Sequence, residues 1–182
     1  MQKRSLVAIL AVVGLAGVVL LVTLLSGAGK QMAGGSPARI DACSMLDTAY
    51  VQRILGVPVS TGKRLDDGYT DDGAYSSTCF WGTSEAPELG GTYAILNAMS
   101  WPKGSGGGAQ FLQEFYQAAD EQIIPAQPEP LTLGDQSLYW GDGVAVLSGD
   151  ISFGISVRHS STDKSIRRIL EEALANKILQ NL

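Results

Sequence analysis

An unbroken apolar run of 21 residues, from Ser5 to Leu25, constrains this chain more than any other part of its sequence. The run contains no charge and no proline, and as an α-helix it would extend for about 30 Å, the thickness of the hydrocarbon core of a bilayer. A cleavable signal sequence has a shorter apolar stretch, of about 7 to 15 residues. We therefore expect residues 1–26 to form an uncleaved, single-pass membrane anchor.

The charges around this run predict the side of the membrane on which the rest of the chain lies. Lys3 and Arg4 precede it, so the N-terminus is expected in the cytoplasm and the C-terminal domain outside the cytoplasm. The alternative is a signal sequence cut near Ser26-Gly27-Ala28, which would release a secreted protein. Residues 27–40 are glycine-rich and predict a flexible linker. Residues 41–182 then fit one domain of ordinary size.

The predicted exported part is acidic. All 18 acidic residues lie beyond residue 40, whereas three of the 13 basic residues, Lys3, Arg4 and Lys30, flank the apolar run, so the rest of the chain carries a charge of about −8. Such a charge repels phosphate, which argues against nucleic acid as a partner and against docking on anionic lipid headgroups through a basic patch.

The chain has two cysteines, Cys43 and Cys79. An even number in a chain that is predicted to be exported favours one disulfide between them. The alternative is a pair of buried free thiols, as in a cytosolic protein.

Apolar periodicity divides the domain into helices and short strands. The predicted helices cover residues 48–55, 109–122 and 162–179, and the predicted strands cover 78–81, 91–101, 137–140, 144–147 and 151–157. The polar segment from Leu65 to Ser77 predicts a loop or a loose hairpin. This order predicts an α+β fold, with a mostly antiparallel sheet and helices packed on one of its faces, preceded by the transmembrane helix.

The last predicted helix has an apolar stripe and a charged stripe. We expect its core-facing stripe to comprise Ile166, Ile169, Leu170, Ala173, Leu174 and Ile178. Its outer face is expected to comprise Arg167, Arg168, Glu171 and Glu172, as two charge pairs four residues apart.

Two stretches carry a resemblance. The segment Asp41–Asp47 leads into a helix that ends at Gly56, Cys79 is followed closely by Trp81, and the segment Leu133–Trp140 precedes a Gly-Asp hairpin. Together they resemble a family of actinobacterial cell-envelope lipoproteins of unknown function, and related extracytoplasmic sensor domains of mycobacterial receptor kinases. The resemblance covers most of residues 41–175 and implies export, a disulfide and a compact α+β domain, with no established activity. This chain lacks the lipidation cysteine of those lipoproteins.

The sequence contains no recognisable catalytic or cofactor motif. His159 is the only histidine, and nothing around it resembles a nucleophile with its base. The glycine segment Gly104–Gly108 lacks the Lys-Ser/Thr of a phosphate-binding loop and is interpreted as a flexible connector. With one histidine and two paired cysteines, a transition-metal site is not expected.

Four aspartates in one segment are the sharpest polar cluster: Asp66, Asp67, Asp71 and Asp72. Oxygen-rich loops bind calcium, but this spacing lacks the distal glutamate of an EF-hand, so a solvated loop is the preferred interpretation.

Four aromatic residues are candidates for a ligand groove on the sheet: Tyr93, Trp101, Tyr139 and Trp140. Such a groove would bind an apolar or sugar-like ligand. The alternative is that they are ordinary core and rim residues.

These observations predict a non-enzymatic, membrane-anchored cell-envelope domain that binds a small ligand or an envelope protein, with no cofactor. One alternative is an envelope hydrolase that uses the aspartates of the 66–72 segment. Another is a subunit of a membrane complex, with Gly14 and Gly17 facing a partner helix.

Overall fold

The computed structural model describes residues 35–85, 90–124, 126–159 and 163–182, apart from the side chain of Asp66. The predicted anchor, residues 1–26, and the predicted linker up to residue 34 lie outside these ranges, and both stay predictions. In the described ranges no helix is both long enough and apolar enough to cross a bilayer.

A single antiparallel sheet of seven strands organises the part of the chain that the structure describes. The strands are β1 (Lys63–Tyr69), β2 (Tyr75–Gly82), β3 (Tyr93–Ser100), β4 (Glu129–Pro130), β5 (Gln136–Tyr139), β6 (Val144–Ser148) and β7 (Ile151–Arg158). Their order across the sheet is β1-β2-β3-β7-β6-β5-β4. The predicted α+β class with a mostly antiparallel sheet is confirmed.

Four helices pack against this sheet within the described ranges. They are α1 (Ala42–Met45), α2 (Thr48–Leu55), α3 (Gly107–Asp120) and α4 (Lys164–Asn181). The ends of α2 match the sequence signals closely: Asp47 Oδ1 accepts the Tyr50 N–H at 2.7 Å, and Gly56 adopts the left-handed conformation that ends the helix.

The disulfide between Cys43 and Cys79 is confirmed, with the two Cα atoms 5.1 Å apart. It joins α1 to the middle of β2, so the entrance to the first helices is fixed to the sheet. The segment from Leu65 to Ser77 is the hairpin that the sequence allowed, and its strands are longer than expected. β2 begins at Tyr75, three residues before the predicted start at Thr78.

The helices lie on both faces of the sheet, so the prediction of helices on one face is wrong. The larger core joins α1, α2 and α4 to β2, β3, β6 and β7, whereas α3 packs against β5 and β6 from the opposite face. The reason is visible in β6: Val144 and Val146 belong to the first core, and Ala145 and Leu147 to the second. A strand that is apolar on both faces needs a cover on each.

Helix α4 is rotated from its predicted orientation. Ile166 and Ile169, expected in the core, are 45% and 66% exposed, whereas Glu171, expected outside, is fully buried. The pair of Arg168 with Glu172 forms as predicted, with Nε and Oε1 2.8 Å apart. Arg167 instead contacts Asp142, in the turn between β5 and β6, at 3.5 Å.

Candidate functional site

The candidate site is the part of the second sheet face that α3 leaves uncovered. Helix α3 lies over β5, β6 and the adjoining side of β7, and no described helix lies over β2 and β3 on this face. The outward side chains of those two strands are all partly exposed, and we call them the open face: Ser76, Thr78, Phe80, Tyr93, Ile95, Asn97 and Met99.

Strict alternation in two long strands builds the open face. In β2 and β3 every second residue is buried on the side of the larger core, and the residues between them point to the other side. Two-residue alternation over the predicted strand 91–101 puts Tyr93, Ile95 and Met99 on one face of β3, as they are in the structure. The predicted strand 78–81 was too short to include Ser76, and Asn97 was not among the predicted site residues. A two-residue alternation extended back to Tyr75 would have included Ser76.

A row of polar side chains crosses the middle of the open face. Asn97 Nδ2 donates to Ser76 Oγ at 3.2 Å and to Thr78 Oγ1 at 2.9 Å. Both hydroxyl oxygens therefore act as acceptors, and their hydrogens stay available to donate outward. Asn97 Oδ1 has no hydrogen-bond partner among the described residues. The row presents two donors and one acceptor in fixed positions.

An aromatic pair forms one end of the open face. The ring centroids of Phe80 and Tyr93 are 5.4 Å apart and the ring planes are tilted by 33°. The Phe80 ring lies across Gly82, where an added Cβ would come within 2.7 Å of its Cζ atom. Because Gly82 has no side chain, the Phe80 ring can lie down on the sheet beside Tyr93.

Two buried tryptophans support the border between α3 and the open face. Trp140 stacks on Phe115 of α3, with centroids 4.8 Å apart, and its ring lies beside Gly154, the β7 residue opposite Asn97. Trp101 comes directly after β3 and donates its Nε1–H to Ser152 Oγ at 2.8 Å. Both indoles are buried, so they position the border and do not form a contact surface of their own.

The four aromatics of the predicted groove are only partly brought together. Tyr93, Trp101 and Trp140 lie on the same side of the sheet, but only Tyr93 is on the open face. Tyr139 lies on the opposite side, in the larger core, where the Arg168 guanidinium sits 4.9 Å from its ring centroid. Adjacent residues of one strand point to opposite faces, so Tyr139 and Trp140 cannot line the same groove.

An unusual carboxyl lies near the other end of the open face. Burial, together with the nearby charge of Asp72, raises the pKa of Glu114 from 4.5 to about 7. Asp72 is in the turn between β1 and β2, where it accepts a hydrogen bond from the Thr70 hydroxyl. This turn directly precedes Tyr75, which pairs with Ser100 at the end of β3, so Asp72 lies beyond the Met99 end of the open face.

The aspartate segment does not form a common site in the described structure. Asp67 accepts hydrogen bonds from Tyr75 Oη at 3.0 Å and Arg64 Nη1 at 3.3 Å, whereas Asp71 is exposed in the turn. The side chain of Asp66 lies outside the described part of the chain. Among the described residues, no three His, Cys, Asp or Glu side chains are grouped as metal ligands.

His159 and the glycine segment 104–108 are the other two features that the sequence analysis considered for chemistry. His159 is half-buried directly after β7. The glycine segment 104–108 is partly helical: Gly107 and Gly108 begin α3, and added Cβ atoms there would overlap Trp101 and Leu147 respectively. These two glycines allow α3 to approach the sheet closely, so only the residues before them act as the predicted connector.

Comparison of the chain with protein-family models, curated proteins and solved structures found no match. The resemblance to envelope lipoproteins and receptor-kinase sensor domains therefore stays a prediction from the motifs.

Proposed function

We propose that this chain is a single-pass membrane protein whose domain lies outside the cytoplasm and binds a ligand or a partner at the open face, without catalysing a reaction on it. The observation that carries the binding role is the composition of the open face. Four apolar side chains and a row of linked polar ones stay partly exposed on a rigid sheet, where an ordinary solvated face would be polar throughout.

Two further features support the location. The Cys43–Cys79 disulfide is typical of an oxidising compartment. The apolar run from Ser5 to Leu25 has the length and flanking charges of an anchor that exports the C-terminal part of the chain.

The non-catalytic role is supported by the partners of the acidic groups. A hydrolase that used the 66–72 segment would need two carboxylates to converge on one substrate. Asp67 is instead engaged by Arg64 and Tyr75, and Asp72 by Thr70. A binding role requires only that these side chains hold the hairpin in place.

Membrane topology is tested with reporters fused after Leu182 in the native host. We expect an alkaline phosphatase fusion to be active and a fluorescent protein that matures only in the cytoplasm to stay dark. A matched fusion that begins at residue 35 should give the reverse pattern. The location would be wrong if the full-length phosphatase fusion were inactive while the fluorescent fusion was bright.

The redox state of the cysteines provides an independent check. Thiol alkylation of the protein from intact cells, followed by mass spectrometry, should modify Cys43 and Cys79 only after reduction. Alkylation of both residues before reduction would contradict an oxidising location.

A further inference from the structure

We propose that two copies of this chain join through the free edge of β1 and form one continuous antiparallel sheet, in which Arg64 of each copy lies opposite the partner's Asp67. This contact uses a different surface from the open face, so it goes beyond the proposed binding role. Only the strength of the association rests on the proposed membrane anchor.

Strand β1 is the outermost strand on one side of the described sheet, where β2 is its neighbour. It has seven residues, whereas β4 at the other edge has two. Among the described residues, no backbone hydrogen bond reaches the outer side of β1. Its side chains include Leu65 and Tyr69, which are 51% and 55% exposed. A long edge with unpaired N–H and C=O groups is a template for another strand.

The hairpin between β1 and β2 shows which backbone groups point to this edge. The Thr70 N–H donates to the Ala74 carbonyl at 2.9 Å, so these two residues form a hydrogen-bonded pair. Such pairs alternate with non-hydrogen-bonded ones along an antiparallel ladder, so the next residues of β1 that bond to β2 are Gly68 and Asp66. The residues whose N–H and C=O groups are left pointing outward are Arg64, Asp67 and Tyr69.

A β-bulge fits the outward residues to a second copy. The register of β1 shifts between Arg64 and Asp66, so Leu65 is an extra residue in the strand. Arg64 and Asp67 are consequently three positions apart, whereas successive outward residues of a regular strand are two apart. In an antiparallel pair of two β1 strands, the extra residue of one is matched by the extra residue of the other. A regular strand from another protein lacks this match and would lose one of the two pairs of residues.

The charges of β1 are complementary to their own reversed order. Lys63 and Arg64 begin the strand and two aspartates follow Leu65, so an antiparallel pairing aligns opposite charges whereas a parallel pairing aligns like ones. Arg64 Nη1 lies 3.3 Å from Asp67 Oδ2 of its own chain, so both side chains are on the same side of the sheet. In the proposed register each also faces its opposite charge in the other copy. Tyr69 then lies opposite the partner's Gly62, where no side chain competes with its ring.

The symmetry of this dimer suits two membrane anchors. A two-fold axis perpendicular to the sheet keeps each face of the sheet on the same side in both copies. The Ala38 carbonyl accepts a hydrogen bond from the Ser100 hydroxyl, on the side of the larger core, so both domains begin on one face of the joined sheet. Anchoring in one membrane raises the effective concentration of the two copies, which favours association through an interface as small as one strand from each.

The test uses the full-length protein in a mild detergent. Sedimentation velocity measures its oligomeric state at protein concentrations between about 1 and 100 μM. The variants Arg64→Asp and Asp67→Arg each place like charges opposite one another in both contacts of a homodimer. In a mixed dimer of the two variants, both contacts again join opposite charges. Arg53→Asp reverses an exposed arginine of α2 and is the matched control.

We expect the wild type and the control to dimerise, each single variant to associate at least about tenfold more weakly, and an equimolar mixture of the variants to recover the wild-type dimer. A wild type that stays monomeric over the whole range would overturn the proposal. So would a dimer that neither variant weakens, because its contact would then lie in the predicted anchor or on another surface. Loss of the dimer in both variants without recovery in the mixture, at the wild-type melting temperature, would contradict the register.

Photocrosslinking in the native host shows what covers the edge in the cell. Leu65 is half exposed and lies next to the proposed two-fold axis, so it is replaced by benzoylphenylalanine. A crosslinked product of twice the mass of the chain supports the proposal. Crosslinking to a different protein alone would overturn the second copy as the occupant of the edge. The reporter fusions measure location independently, so failure of the dimer and failure of the proposed location are distinguishable.

Discussion

The buried carboxyl of Glu171 makes the stability of this domain depend on pH, and its replacement by glutamine should remove that dependence. Its Oε1 accepts the N–H of Val157 at 2.9 Å, and its Oε2 is buried without a hydrogen-bond partner among the described residues. Burial raises the pKa of Glu171 to about 7; the Val157 bond and the Arg167 charge oppose this rise, while Asp142 and Glu172 add to it. Glu171→Gln resembles the protonated acid in shape and charge.

The linkage between proton binding and folding gives the sign and size of the change in the free energy of unfolding with pH. Because its pKa is about 7 in the folded state and 4.5 ordinarily, the native protein binds this proton more tightly than the unfolded chain. The stabilisation is therefore complete below pH 4.5 and is lost as the pH rises through 7. One such group lowers the free energy of unfolding by about 2.5 kcal/mol between pH 5 and pH 8. For a domain of this size the melting temperature falls by about 5–10 °C.

Tryptophan fluorescence is a suitable assay, since Trp81, Trp101 and Trp140 are all buried in the folded protein. Urea unfolding of the wild type and of Glu171→Gln at pH 5 and pH 8 gives the difference directly, and the contribution of Glu114, which has the same sign, cancels. Glu172→Gln removes the same charge from the neighbouring, partly exposed position and should keep most of the wild-type dependence, because Glu172 contributes least to the raised pKa of Glu171. The reasoning is refuted if Glu171→Gln loses as much stability between pH 5 and pH 8 as the wild type.

Three further sets of substitutions test contacts that stabilise the domain around the open face. Replacing Cys43 and Cys79 by serine opens a loop of 36 residues and should lower the free energy of unfolding by about 4 kcal/mol in urea; a loss below about 1 kcal/mol would mean that the disulfide constrains little. Asp47→Ala removes the cap of α2 and should cost about 1 kcal/mol in the same assay, whereas Asp47→Asn should cost less. Gly143→Ala places a Cβ against Trp140 and should cost about 1–3 kcal/mol, with a changed tryptophan emission, and an unchanged melting temperature would contradict this packing.

The elements that could be predicted from the sequence are those that local chemistry determines. Asp47 and Gly56 mark both ends of α2 because a cap and a left-handed stop act within one helical turn. The Gly149-Asp150 turn separates β6 from β7 for a similar local reason, and two-residue alternation in β3 places Tyr93 and Ile95 on one face. The disulfide was predictable from the number of cysteines and the expected compartment.

The composition of the open face was harder to predict because it depends on which strands α3 covers. The residues of β5 and β6 are apolar on both faces, which indicates a cover on each, but no local signal gives the width of that cover. The glycines at the start of α3 and the stacking of Phe115 on Trp140 place the helix over β5 and β6. The Asn97 row is left uncovered as a consequence of this placement.

The rotation of α4 shows why a helical pattern alone can choose the wrong face. Isoleucine at positions 166 and 169 suggested a longer core stripe, but β6 begins only at Val144, opposite Ile155, so the N–H of Val157 has no partner in that strand. Glu171 supplies the missing acceptor, and the helix must turn toward the sheet at that residue. The acceptor is needed because β7 extends beyond its partner strand β6. The helical periodicity of α4 carries no information about the lengths of these strands.

If Glu171 were buried only because its hydrophobic neighbours pack in the core, an apolar residue of similar size at this position would leave the domain equally stable. Glu171→Met should instead destabilise the domain at pH 5, where Glu171→Gln is tolerated, because methionine leaves the Val157 N–H buried and unpaired. Urea unfolding at pH 5 separates the two explanations, since equal stability of the methionine and glutamine variants would show that the acceptor is not what turns the helix.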